Sequence, residues 1–142
     1  MEFSDQQRAF LERTRSAAMI TLRKDGTPVA VRVGVALVDG HLWSSGTRDR
    51  LRTRLLRRDP RSTLFVFEGG GFAYLTIEAR VSILEGPQAP EQSVRLFRVM
   101  QNRPTGPLMW EGIELPEDEF LRAMVDGERL IYAFEPVRAY GL

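Results

Sequence analysis

The chain has 142 residues, with 20 basic and 19 acidic side chains, a formal net charge of +1 and no cysteine. That length suits one domain, residues 1–142, built around one core. The missing cysteine excludes disulfides, thiolate nucleophiles and thiolate metal sites, and it fits a reducing cytoplasm. A near-zero charge assures no basic face, so nucleic acid is not expected as a partner. No apolar run approaches the roughly 18 residues of a membrane span, and none is expected. The segment Met1-Glu2-Phe3-Ser4-Asp5 has neither a basic nor an apolar region, so a signal peptide is not expected.

Ser4 followed by Gln7 is a capping-box spacing and predicts a short helix over 5–15, docked by Phe10 and Leu11. Strands at 17–24, 27–38 and 41–45 follow, joined by Asp25-Gly26 and Asp39-Gly40. Asp-Gly between alternating apolar residues is a strong hairpin signal. Within 27–38, Val29, Val31, Val33, Val35 and Leu37 form a core-facing row. Ala30, Arg32, Gly34, Ala36 and Val38 form the opposite row, mostly small, with room for a partner sheet or a flat ligand. Ser45, Gly46, Thr47 and Arg48 then read as a turn into an arginine-rich helix whose Leu51 and Leu55 share a buried stripe. Strands at 62–68 and 72–84 flank the Gly69–Gly71 turn. Helices at 91–102 and 117–126 bracket a Pro/Gly-containing loop at 103–116, and a last strand spans 129–134. The pattern predicts a mainly β fold with short helices, in which six antiparallel strands close into a small barrel to remove their edges.

Residues 48–61 hold Arg48, Arg50, Arg52, Arg54, Arg57, Arg58 and Arg61 against Asp49 and Asp59. A turn and a helix start offer free N–H groups to an anion, and arginine forks grip phosphate oxygens. A solvated helix face is an equally ordinary use of such a run. Helical spacing alone does not bring Arg50 and Arg52 together; they converge only if Arg50 precedes regular helix. Other chemistry is sparse. His41, the one histidine, follows a hairpin turn and reads as solvated. The acids Glu111, Glu114, Glu117, Asp118 and Glu119 suit a loop and a helix N-terminus. There is no Walker A loop and no G-x-G-x-x-G. An enzyme of this composition needs a cofactor to carry its chemistry, and a flavin-type carrier with a phosphate handle fits.

Five segments, in order, carry a resemblance: L-R-K-D-G-T-P-V at 22–29, D-G-H-L-W-S-S-G-T at 39–47, L-R-R-D-P-R-S-T-L-F-V at 56–66, L-T-I-E-A-R-V at 75–81 and F-E-P-V-R-A-Y-G at 134–141. The chain resembles the pyridoxamine 5′-phosphate oxidase-like split β-barrel family, in particular its flavin/deazaflavin branch that uses coenzyme F420. The resemblance implies a six-stranded antiparallel split β-barrel of the FMN-binding type. It also implies a homodimer with cofactor sites at the subunit interface, and hydride transfer from coenzyme F420 to a small unsaturated organic acceptor. FMN is the alternative cofactor, and a non-catalytic flavin, deazaflavin or tetrapyrrole binder is the alternative role. Phosphate contacts fall at Arg52 and Arg50, with Ser45, Gly46, Thr47 and Arg48 in the turn and Arg32 beside the ring. Tyr74, Met109 and Trp110 suit either ordinary core packing or the walls of a ring pocket. The chain departs from the branch pattern at Leu55, where an asparagine is frequent, and at Arg32 and Gly34, which replace a Pro-x-Trp. Leu51-Arg52 stands where FMN-binding oxidases carry Arg-Lys, which leans towards the deazaflavin.

Overall fold

A computed structural model describes all residues, 1–142. In chain order the elements are α1 (Asp5–Arg13), β1 (Ser16–Leu22), β2 (Pro28–Gly34), β3 (Ala36–Val38), β4 (His41–Thr47), α2 (Leu51–Arg58), β5 (Arg61–Phe67), β6 (Tyr74–Leu84), α3 (Ala89–Met100), β7 (Leu108–Trp110), β8 (Ile113–Leu115), α4 (Glu117–Asp126) and β9 (Arg129–Gly141). The capping box forms at α1: Ser4 Oγ accepts from the Gln7 N–H at 3.1 Å, and Gln7 Oε1 accepts from the Ser4 N–H at 2.9 Å.

The main sheet is antiparallel, in the order β2-β1-β5-β6-β9-β4-β3. Its two edges are consecutive in the chain, because only Val35 separates β2 from β3. One bent strand therefore lies along both edges and curls the sheet on itself, which leaves few open strand edges. The bend is pinned on both sides. The Val35 N–H donates to the Arg15 carbonyl at 2.8 Å, and Ser44 Oγ donates to the Gly34 carbonyl at 2.7 Å. Counted as bent units, the barrel strands are the six expected. The separate assignments are nine, because 27–38 splits at Val35 and 103–116 contributes a pair.

The inward rows of β1, β5, β6 and β9 build the core, with Met19, Leu64, Leu75, Ile77 and Tyr132 fully buried, and α1 seals it with Phe10 and Leu11. A second layer packs outside the barrel, where Leu96 of α3 covers Ala36, Val38, Trp43 and Ile131. The outward row of 27–38 is thus divided. Ala30, Arg32 and Gly34 are exposed as expected, whereas Ala36 and Val38 are buried under α3. A third cluster joins Leu108 of β7 and Val94 of α3 to Phe120 and Met124 of α4.

Three local expectations need correcting. Residues 103–116 contain a β-hairpin whose two-residue turn, Glu111-Gly112, has φ +52° and +82° at its centre. Positive φ at both positions is the type I′ geometry that matches strand twist. The last strand runs on past Pro136 to Gly141, because a bulge at Glu78/Ala79 of β6 absorbs the irregularity. The expected turn at 45–48 is strand as far as Thr47, since Ser45, Gly46 and Thr47 pair with Ile131, Leu130 and Arg129.

Candidate functional site

Helix α2 begins abruptly. Arg50 is its N-cap residue with extended backbone (φ −67°, ψ 147°), it makes no side-chain cap, and the first turn holds no acid. A cation at the positive end of a helix is unfavourable, and the first-turn N–H groups lack a side-chain acceptor. Both defects are relieved by an anion at this end.

The rotation of α2 is set by Thr53. Its hydroxyl is buried and donates to the Thr47 carbonyl at 2.7 Å. That uses the single hydroxyl hydrogen, so the Tyr132 phenol donates to Thr53 Oγ1. Thr53 and Leu56 face inward as a result, while Leu51 is exposed, which corrects the expected Leu51/Leu55 stripe. Arg52 is turned to lie half-buried over the Tyr132 ring, its guanidinium carbon 5.6 Å from the centroid.

Burial lowers the pKa of Arg52, and the neighbouring Arg50 lowers it further, against an opposing contribution from Tyr132. Arg129, the first residue of β9, behaves in the same way. Burial lowers its pKa first, and the Arg50 and Arg52 charges add to that, against smaller opposing contributions from Tyr132 and Glu111. The three charges are therefore near enough for like-charge repulsion to act on Arg52 and Arg129. None of the three forms an ion pair with a carboxylate, although nine such pairs occur elsewhere in the molecule. The Nε atoms of both Arg52 and Arg129 are buried without a hydrogen-bond partner. Arg129 Nη2 donates to Ser45 Oγ at 2.8 Å, which anchors it above β4.

Four other arginines of the run are engaged elsewhere, and Arg54 points to solvent. Arg48 pairs with Glu128 at 2.9 Å, and its N–H donates to the Glu128 carbonyl. Arg57 grips Glu85 through two bonds of 2.7 and 2.8 Å, and Arg58 donates to the Leu22 carbonyl. Arg61 clasps Asp59, whose carboxyl is held down to about 2 by those hydrogen bonds.

Of the residues expected at the site, Ser45, Arg50 and Arg52 come together. Gly46 and Thr47 are its scaffold: a Cβ on Gly46 would stand 2.3 Å from Tyr132 Cζ, and the Thr47 carbonyl receives Thr53. Arg32 lies on the outer face of β2, where Nε donates to Ser16 Oγ at 3.0 Å. Tyr74 opens β6, nine residues and roughly 30 Å along the strand from Ile83, the partner of Tyr132. It stacks instead on Phe65, with ring centroids 5.3 Å apart. Arg129 was missed because nothing near it in sequence is basic; only the β4–β9 register sets it beside Ser45. A 750 Å³ cavity lined by Phe3, His41, Trp43 and Glu135 contains none of the three clustered arginines.

The donor set fits the phosphate of a cofactor. It offers orphaned guanidinium donors, an uncapped helix start and unpaired positive charge, all in one place.

Solved structures share this fold. A conserved hypothetical protein of Mycobacterium tuberculosis superposes with TM-score 0.75 at 22% identity, covering 98% of this chain and 84% of that one. An F420 reductase gives 0.68 at 18% identity, covering 97% and 98%. A FAD-binding protein of Mesorhizobium loti gives 0.63 at 15% identity, covering 98% and 94%. No curated protein sequence matches the chain. Residues 3–133 match the family model described as pyridoxamine 5′-phosphate oxidase, nearly the whole barrel, and the chain belongs to that family.

Proposed function

We propose that the chain is an oxidoreductase that holds a phosphate-bearing deazaflavin, coenzyme F420, and reduces a small unsaturated organic acceptor. The observation that carries this reading is the grouping of Arg50, Arg52 and Arg129 with no ion-paired carboxylate among them, at an uncapped helix start. Arg52, Arg129 and the first turn of α2 bind the phosphate, while Ser45 orients Arg129. The bound ring would supply the redox chemistry that these side chains lack. The Leu51-Arg52 pair and the structural likeness to an F420 reductase favour the deazaflavin. FMN is the second reading, favoured by the family match and the FAD-binding neighbour. Fluorescence titration of the purified chain with coenzyme F420 and with FMN is expected to give micromolar or tighter binding of the first. Preference for FMN moves the chain to the flavin branch, and binding of neither removes the reading.

The active form in this reading is a homodimer. The outer face of β5 and β6 exposes Phe65 and Tyr74, 37% and 38% accessible, and Tyr140 of β9 extends the row through Thr76. Stacked, half-exposed aromatic side chains on an open sheet face are typical interface anchors. Sedimentation at micromolar concentration is expected to give twice the chain mass. A folded monomer that still binds cofactor would remove the dimer from the proposal.

A further inference from the structure

Trp110 ends β7, one residue before the outer turn of the hairpin, and its neighbours fix it. Its ring meets Phe97 of α3 and Phe120 of α4 edge-on, with centroids 5.6 and 5.8 Å away and planes 85° and 83° apart. Phe97 and Phe120 also touch each other at 5.3 Å, so the three rings form a closed set. Edge-to-face aromatic contacts restrict ring orientation as well as burying area. The free face of the indole receives Arg129, whose guanidinium carbon lies 5.1 Å from the centroid. The same guanidinium reaches Ser45 Oγ through Nη2 and leaves Nε buried without a partner.

We infer that Trp110 is a positioning residue for the anion cradle, holding the Arg129 guanidinium between indole and Ser45 so that the third cation is set before the anion arrives. The inference rests on the phosphate reading of the site, and it assigns Trp110 to the phosphate end rather than to a ring wall. The physical gain is entropic. A free arginine loses several rotamers when it binds, whereas one already stacked and hydrogen-bonded has lost them on folding. The indole also tolerates the crowding of like charges, because its face attracts the cation that Arg50 and Arg52 repel.

The test is a double-mutant cycle in the full chain, read by titration with whichever of coenzyme F420 and FMN the wild type binds. Trp110→Leu is expected to weaken binding about fivefold, the size of a partly desolvated cation–π contact, and Trp110→Phe to recover most of it. In an Arg129→Ala background, Trp110→Leu is expected to cost nothing further. Equal losses in both backgrounds would overturn the inference alone, since Trp110 would then act on the ring or the fold. No loss from Arg129→Ala itself would overturn the phosphate reading together with it. A second measurement leaves Trp110 unchanged. In a Trp43→Phe chain Trp110 is the single tryptophan. Inorganic phosphate should change its emission when Arg129 is present and not in the Arg129→Ala chain. Emission that responds identically in both would also overturn the assignment.

Discussion

Arg52→Ala is expected to weaken binding of the phosphate-bearing cofactor at least tenfold, about 1.4 kcal/mol, while leaving the unfolding midpoint unchanged or raised. The two halves of that result have one cause. Arg52 is half-buried, its Nε lacks a partner, and it repels Arg50 and Arg129. In the free chain it therefore costs desolvation and like-charge repulsion, and it returns chiefly its contact with the Tyr132 ring. Anion binding reverses the balance, because charge-assisted hydrogen bonds are then made by donors that are already desolvated. Functional sites commonly carry such local strain at the expense of stability. Arg57→Ala is the natural control, since that arginine is engaged with Glu85 on the surface. Titration and urea unfolding measured on the same samples separate the effects. Unchanged affinity would remove the phosphate assignment, and unfolding without ligand would make Arg52 a structural prop for Tyr132.

Gly46→Ala is expected to destabilise the fold by about 3 kcal/mol, the upper range for overpacking a well-filled site. The added Cβ would lie 2.3 Å from both Cζ and the hydroxyl of Tyr132 and 2.5 Å from Cε2. Tyr132 is fully buried and tied through its hydroxyl to Thr53, so it has nowhere to retreat. The damage is expected to spread, since Thr53 fixes the rotation of α2 and thereby the aim of Arg52. Urea unfolding should show the loss, and cofactor titration of the still-folded fraction should show weakened binding. A wild-type midpoint would mean that the barrel wall shifts freely at this point, contrary to the packing described.

These two residues mark how far the chain could be read in advance. Gly46 looked like a phosphate-turn glycine, and local sequence supports that, because Ser-Gly-Thr before an arginine-rich helix has the right composition. Its glycine is required by a tyrosine 86 positions later, at a place only the β4–β9 register defines. The convergence of Arg50 and Arg52 hinged on whether Arg50 precedes regular helix, and it does. Helical periodicity says nothing about that boundary, and the buried face carries Thr53 and Leu56 rather than Leu51 and Leu55, roughly half a turn away.

Sequence by itself determined what is local: the alternation of the barrel strands, the two Asp-Gly hairpins, the capping box of α1, the Gly127 stop after α4 and the concentration of charge at α2. Each is a matter of propensity or period over a few residues, where side-chain chemistry acts on its own backbone. Tertiary structure alone decided which charges matter. Four of the seven arginines are engaged by Glu128, Glu85, Asp59 and the Leu22 carbonyl, three of those partners distant in sequence. Arg129 and Trp110 join the site only through strand pairing and the packing of α3 and α4. Desolvation and pairing depend on what the completed fold brings within a few ångströms, and no period along the chain encodes that.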